Sequence, residues 1–536
     1  MRRDLREVFV MLLASGCGAC QASPADSVTM TAASQPDATT AAPRLEAGTH
    51  MEAATPGQPA DWDADFRIPE ATDINSDPNT VEINLEARIE NLTILPSGAE
   101  GGPPPQTPMW TYNGSVPGPI IRTKKGNRLI VHFKNSLPEA TTIHWHGVRV
   151  PNAMDGTFLV QNAVGPGATF DYDFVVPDAG TYWYHPHLDS SAQVGFGLYG
   201  VLIVEDSNEP FLGDELVLVL SDASVNPDGT LIPGDATGWF GDYFGREGNV
   251  ELVNGRAQPN MTLKMRSGMP QRWRVLNASR AKFQRFTVPN VTLTRIAGDE
   301  GLSSAPYVVP NVDLTPGERE EIFAVAGASG TTLTAINETV DRFHTGLLLP
   351  SAPLFHVEVT ADPPWTGGPV LPKSLASIVP IDVSNAQTRE ITFDNVLEGE
   401  GGVVLDAAVD GAGSYLGING KSPRGACSGL DAGSAAMDMT AITIVSVDQG
   451  TTEIWNVTNN TSQDHPLHIH GYPYQVLSVA GVPPPVLEWR DNVNIPANEA
   501  LKVAVSFDDR PGSWMFHCHI LDHADMGMMA LLVVNP

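Results

Sequence analysis

The sequence predicts an all-β chain of three consecutive Greek-key β-sandwich domains. Three observations carry this. At 536 residues the chain has room for about three domains by the usual length prior. Glycine (50) and proline (44) are plentiful while charged residues make up 17%, a balance that suits turn-rich sheets better than helical bundles. The third observation is an internal repeat. Asn113-Gly114 is followed by the strand-like stretch Gly126 to Asn135, Asn254-Gly255 by Gly268 to Asn277, and Asn419-Gly420, after an insertion, by Gly450 to Asn459. Nine positions separate Gly from Asn in every copy. Asn-Gly is a hairpin-turn signal, because both residues tolerate positive φ.

Taken in order, residues 1–20 read as an export signal: Arg2, Arg3 and Arg6 precede an apolar run from Val8 to Ala14 that is too short to cross a bilayer. Ala14-Ser15-Gly16-Cys17 resembles a lipobox, so a lipid anchor at Cys17 stands beside simple cleavage as an expectation. Residues 21–77 are rich in Ala, Ser, Thr, Pro and Asp and read as a disordered tether. The repeat then places domains at 78–207, 208–365 and 366–536. No later stretch is long and apolar enough for a transmembrane helix. The expected location is therefore outside the cytoplasm: periplasmic, on the cell envelope as a lipoprotein, or secreted.

A formal net charge of −31 argues against a nucleic-acid partner, which needs a basic surface, and favours solubility and the attraction of cations. Four cysteines give no disulfide framework: Cys17 and Cys20 lie in the leader, Cys427 is a spare loop thiol, and Cys518 sits among histidines.

The chemistry concentrates in ten of the fourteen histidines. Nine residues after Asn135 comes His144-Trp-His146, and nine after Asn459 comes His468-Ile-His470; nine after Asn277 comes Phe286. Gly180 to His187 aligns with Gly512 to His519, setting His185-Pro-His187 over His517-Cys518-His519. The outer domains thus each offer two His-X-His pairs and the middle domain none, which makes the middle domain a spacer. In a strand, His-X-His turns both imidazoles to one face. Eight imidazoles exceed what one zinc takes and suit three copper ions held between the outer domains. A second set, His465, Cys518 and His523 with Met528 as axial ligand, has the composition of a blue-copper electron-transfer site. By the same offsets the first domain has Thr141 and Pro186, so only the third can build it. Met526 and Met529 read as core packing. Copper in both sets makes cupredoxin-like sandwiches the natural domain type.

These four clusters, with Cys518 and Met528, resemble those of the multicopper oxidases, particularly the three-domain bacterial laccase-like enzymes. The resemblance implies four copper ions. His144 and His468 would hold type 2; His146, His185 and His519 one type 3 ion; His187, His470 and His517 the other; and His465, Cys518, His523 and Met528 type 1. It further implies that a phenol or aromatic amine gives up single electrons at type 1, through an exposed edge of His465 or His523. These electrons pass from Cys518 through the backbone to His517 or His519, and dioxygen becomes water at the three-copper cluster. Asp155 resembles the family's acid near type 2 and is expected to relay protons; as a bland alternative it is a turn residue before Gly156. Several bacterial members carry Glu directly after the last type 1 histidine, where this chain has Ala524, with Asp522 and Asp525 as nearby substitutes.

Three other readings compete. A copper-resistance or copper-handling protein, or an oxidase of Cu(I), Fe(II) or Mn(II), would suit the acidic surface, but the fifteen methionines are scattered rather than gathered in tracts. A degenerate relative without copper is opposed by the complete ligand set. A copper nitrite reductase would share the domain type without needing eight cluster histidines in one chain.

Overall fold

The computed structural model describes residues 57–96, 103–234, 236–257, 260–342, 350–365, 367, 371–397, 414–423 and 441–536. The expected leader with Cys17 and Cys20, most of the tether, and Cys427 lie outside the described residues.

Strands make up 49% of the described residues and helices 5%, as the glycine- and proline-rich, weakly charged composition predicts. Among the described residues six sheets form in three consecutive pairs, with strands drawn from Thr80–Glu205, Asp214–Thr360 and Gln387–Asn535. One sheet of each pair is built on the same motif. Strand Thr80–Leu92 runs parallel to Arg128–Asn135, Asp214–Ala223 to Pro270–Asn277, and Gln387–Leu397 to Thr451–Asn459.

The repeated residues have the same task in each copy. Asn113, Asn254 and Asn419 all adopt positive φ, as do the glycines after them, and each turn closes on a small bridge: Tyr112 with Ser115, Val253 with Arg256, Ile418 with Lys421. The second asparagine ends a strand and pins the following loop. Asn135, Asn277 and Asn459 each accept from the backbone N–H two residues on, at 2.9, 3.0 and 3.0 Å, and donate through Nδ2 to two carbonyls of the next segments. A buried amide with all its groups used is what such a position demands.

The middle domain has its own core around Trp273, Phe286 and Phe355. The outer two share one continuous apolar cluster, running from Trp145, Tyr172 and Tyr184 to Leu467, Phe516 and Cys518, so the opening and closing sandwiches lie side by side. Residues 57–77 differ from the expected tether. Phe66 is buried edge-on against Phe355 at 5.1 Å, Lys264 N–H donates to Trp62 O, and Glu70 bridges to Ile120. Trp62, Phe66 and Ile68, isolated in a polar stretch, supply the apolar area that a disordered segment lacks.

Candidate metal centre

Two equivalent strand pairs carry the histidines. In the first domain His144–His146 pairs antiparallel with Gly180–His185, placing His144 opposite His185; in the third, His465–Ile469 pairs with Gly512–Cys518, placing His468 opposite His517. Alternation does the sorting. Trp145 and Ile469 point into the shared core, so the residues on either side of each turn the other way. His146 stacks on His468 at 3.8 Å between ring centroids and His144 on His470 at 4.0 Å, joining residues of the two outer domains. His185, His187, His517 and His519 complete the nest, with His187 and His517 5.2 Å apart and His146 and His519 4.7 Å apart. All eight imidazoles are buried.

Six of the eight rings are fixed on one nitrogen by a group that accepts a proton, which turns the other nitrogen to the nest. His144 donates through Nδ1 to Asp155 O (2.8 Å), His468 to Asp491 O (2.9 Å), His185 to Pro186 O (2.8 Å) and His517 to Cys518 O (2.8 Å). His470 donates through Nδ1 to the Asp155 carboxylate at 2.9 Å, while His146 is turned over and donates through Nε2 to the Asp491 carboxylate at 2.9 Å. Nε2 of His144, His185 and His468, Nδ1 of His146 and both nitrogens of His519 are buried with no hydrogen-bond partner among the described residues. The bare Nε2 atoms of His470 and His517 stand 3.1 Å apart. Two lone pairs at that distance repel unless a cation lies between them. His187, His470 and His517 bring their ligand atoms within 4.8 Å of one another, as do His144, His468 and His470, and also His144, His146 and His185.

The second cluster lies across one strand. Cys518 Sγ is 3.5 Å from Nδ1 of His465 and 3.6 Å from Nδ1 of His523, and the two nitrogens are 3.1 Å apart. Around a trigonal cation with ordinary metal–nitrogen and metal–sulfur bonds, the ligand atoms would stand roughly 3.5–3.8 Å apart. Nε2 of His465 donates to Thr461 Oγ (2.7 Å), which leaves Nδ1 to face the sulfur. Met528 is held at the cluster by its backbone, accepting from Cys518 N and donating to His523 O. It packs in the same apolar cluster as Cys518, whereas Met529 packs with Met515 and Ala524. Both cysteine-side histidines are buried completely, so the exposed edge expected at His465 or His523 is absent. The short helix Gly238–Phe244 and Arg342 lie beside them: Gln463 Nε2 donates to Tyr243 O and Arg342 donates to Phe244 O and Gln463.

Burial disfavours charge on these rings. It drives His465 and His517 down to about 3, with Arg342 and His468 respectively adding to the effect, and carries His146, His185, His187, His470 and His519 well below the usual imidazole range. The same burial pushes the Cys518 thiol up. Neutral imidazoles with bare nitrogens facing one another, and a sulfur within reach of two of them, are a donor set that fits copper.

Asp155 lies at the nest, as expected, holding His470 through Oδ2 and His144 through its carbonyl. Sequence reasoning missed Asp491, which does the matching work for His146 and His468. Its one signal is the charged run Glu488-Trp-Arg490-Asp491 in an otherwise apolar region. Burial alone would raise the Asp491 carboxyl, but the paired Arg319 and His146 hold it well below the usual carboxylate range. Asp522 and Asp525 sit instead toward the first domain's short helix, Asp522 pairing with Ser191 and Arg246, and Asp525 accepting from Ser191 N at 2.7 Å.

Residues 99–209 match a family model described as multicopper oxidase, and residues 417–536 match a second with the same description. The chain is 28% identical over 479 residues to the multicopper oxidase MmcO of Mycobacterium tuberculosis, covering 83% of this chain and 87% of that protein. It is 27% identical over 476 residues to laccase-1 of Botryotinia fuckeliana, covering 82% and 80%. Among solved structures, a multicopper oxidase from Campylobacter jejuni described as a metallo-oxidase superposes with a TM-score of 0.72 at 27% identity, covering 88% of this chain and 94% of that one. One from Pseudomonas thermotolerans gives 0.69 at 28%, covering 85% and 99%.

Proposed function

The chain belongs to the multicopper oxidases, copper-dependent oxidoreductases that use dioxygen as acceptor, and from that membership we propose that it couples one-electron oxidation of a reducing substrate at a mononuclear type 1 site to four-electron reduction of dioxygen at a trinuclear cluster. The observation that supports this most is the pair of separate donor sets, one of eight imidazoles and one containing Cys518, on a single strand that carries members of both. In this reading His465, Cys518, His523 and Met528 hold type 1. His144 and His468 hold type 2, while His146, His185, His519 and His187, His470, His517 hold the type 3 pair. The domains run 78–207, 208–365 and 366–536. The chain is exported, with Cys17 available for lipidation; no helix of the described residues is long and apolar enough to cross a membrane.

Copper at these side chains would supply the one-electron steps, accepting single electrons from the reductant and delivering four to dioxygen to form water. The protein supplies the frame. The carboxylates of Asp155 and Asp491 and four backbone carbonyls fix the tautomers of six of the eight rings so that a bare nitrogen faces the nest. The aromatic and aliphatic core keeps bulk water out. Peptide links join Cys518 directly to His517 and His519, a path on the order of 10 Å between the two donor sets. Asp155 commits Oδ2 to His470 and keeps Oδ1, 3.4 Å from His144 Nδ1, as the oxygen that holds a proton for delivery.

A phenol or aromatic amine is the reducing substrate in this reading. One observation favours a second class, the ions Cu(I), Fe(II) and Mn(II). His465 and His523 are fully buried, so a flat ring cannot lie against either, while a cleft lined by Glu247, Glu251 and Glu338, the first two paired with Arg342 and Lys282 of the same lining, lies close by, and Arg342 hydrogen-bonds Gln463 two residues before His465. Copper counting and a visible spectrum, then oxygen uptake with a phenol and with each ion, separate these. Cys518→Ser is expected to lose the blue absorbance and turnover together while nest copper stays. Turnover surviving in that variant would overturn the assignment of Cys518.

A further inference from the structure

The middle domain holds no cluster histidine among its described residues, yet one of its side chains reaches the nest. Arg319, at the start of strand Arg319–Ala326, is completely buried. A guanidinium has five N–H donors, and here every one finds an acceptor. Nε donates to Thr181 O at 2.9 Å; Nη1 to Gly317 O at 3.2 Å and Asp491 Oδ1 at 2.8 Å; Nη2 to Asp299 O at 3.0 Å and Asp491 Oδ2 at 2.5 Å. The acceptors come from all three sandwiches. Thr181 is on the first-domain strand that ends in His185, Gly317 and Asp299 belong to the middle domain, and Asp491 belongs to the third.

The Asp491 partners make this more than a structural ion pair. Its Oδ1 also accepts from His146 Nε2, and its carbonyl accepts from His468 Nδ1, so one residue sets the orientation of a ring from each outer domain, and these two rings stack on each other. With Arg319 bound in two-pronged fashion, Asp491 has a fixed plane and keeps an acceptor aimed at His146 Nε2. That keeps the His146 proton on Nε2 and leaves Nδ1 bare toward the nest. The same loop approaches the nest a second time. Gly317 has φ +85, and a Cβ there would stand 2.8 Å from Cε1 of His519. Asn492 Nδ2 donates to Pro316 O at 2.6 Å, tying the loop to the strand that follows Asp491.

We propose that Arg319 is a positioning residue for the trinuclear nest: through Asp491 and Thr181 O it sets His146, His468 and the His185 strand at once, so the middle domain helps shape the cluster without supplying a ligand. This rests on the reading of the eight-imidazole set given above. Lysine cannot replace it, because three donors on one nitrogen cannot reach acceptors arranged around a planar fork.

The test uses the full copper-loaded chain as wild type, Arg319→Lys, Arg319→Met and Arg272→Met. Arg272 is a buried guanidinium of the same domain that pairs with Glu209 and Glu321 and makes no bond to Asp491, so it controls for loss of a buried charge. Each protein is titrated with a chelator while copper per chain, the blue band of the Cys518 set and the electron paramagnetic resonance of imidazole-bound copper are followed. Melting of each variant checks the fold. Both Arg319 variants are expected to hold nest copper ~10–100-fold more weakly than wild type while the blue band per chain is unchanged, the scale for loss of a residue that orients a metal ligand. Arg272→Met should hold it as wild type does. Should Arg319→Met fail to fold, Arg319→Lys, which keeps the charge, carries the test alone. Undiminished nest copper in the Arg319 variants overturns the proposal, as does equal loss in Arg272→Met or a parallel loss of the blue band. A wild-type chain that binds copper only at Cys518 overturns the reading of the nest itself, and this proposal with it.

Discussion

Replacing Gly156 by alanine tests how closely the Asp155 turn is pressed against the His144 strand. Gly156 has φ +80, and a Cβ there would lie 1.9 Å from Ile143 O and 2.8 Å from His144 N. Both neighbours are backbone, so no side chain can swing aside. The left-handed conformation costs alanine about 1–2 kcal/mol. Forcing the turn off the strand adds about 1–3 kcal/mol, as overpacking does elsewhere. The displaced turn also weakens the bond from His144 Nδ1 to Asp155 O, about 1 kcal/mol net. The sum, roughly 3–6 kcal/mol, is at the large end for a single substitution. Gly126 supplies the control: it has φ +86 with nothing within 4 Å of a Cβ, so Gly126→Ala should cost only the conformational part, about 1–2 kcal/mol. Urea unfolding of chelator-stripped protein, followed by tryptophan fluorescence, measures both. Gly156→Ala should also retain less nest copper, because His144 moves with the turn. Equal destabilisation by the two substitutions would refute the close approach and the tie between Asp155 and His144 that depends on it.

Three further outcomes are expected. Thr461→Val leaves the buried His465 Nε2–H without its acceptor, costing about 1–3 kcal/mol in urea unfolding, and should shift the blue band while nest copper is unaffected. Stripped wild-type protein, compared with His517→Gln, should lose stability as pH falls from 6.5 toward 3, by about 1.4 kcal/mol per pH unit. The sign follows from the folded imidazole being held to about 3: the unfolded chain takes up a proton that the folded one refuses, so the contribution is full above 6.5 and lost below it. A difference between the two proteins that does not change over this range would count against burial of a neutral His517. Removing copper with a chelator should lower the melting temperature, and titrating copper back should raise it in a concentration-dependent way, since only the folded chain assembles either donor set. A melting temperature indifferent to copper would argue against that.

The parts of the site legible in the sequence were those governed by local periodicity. His-X-His in a strand can only turn both rings one way, and the four such pairs in register across the repeat are the eight rings that the fold brings together. The repeated asparagines located the strands beside them for a related reason: each must satisfy a buried amide against the chain within a few tens of residues. What escaped was set by long-range pairing between charges. Nothing in the letters around Arg319 says that it will meet Asp491, because ion pairs across domains obey no period and depend on how the sandwiches dock. The cover over His465 was missed for a similar reason, as Gly238–Phe244 comes from the middle domain and carries no histidine or cysteine to attract notice. Residues 57–77 were misjudged from average composition, where three well-spaced apolar side chains were enough to dock the segment.

The nest draws its first imidazoles from His144 and His146 and its last from His517 and His519, more than three hundred positions later. At 5–20 residues per second, a ribosome needs about 20–75 s to pass from one to the other. From the synthesis of His187 until that of His468 the nascent chain displays half a nest, four rings with no opposing set. Assembly of the full eight-imidazole set is therefore a mark of finished synthesis and of correct docking of the outer sandwiches, and a chain clipped before Cys518 would leave both donor sets incomplete in one cut.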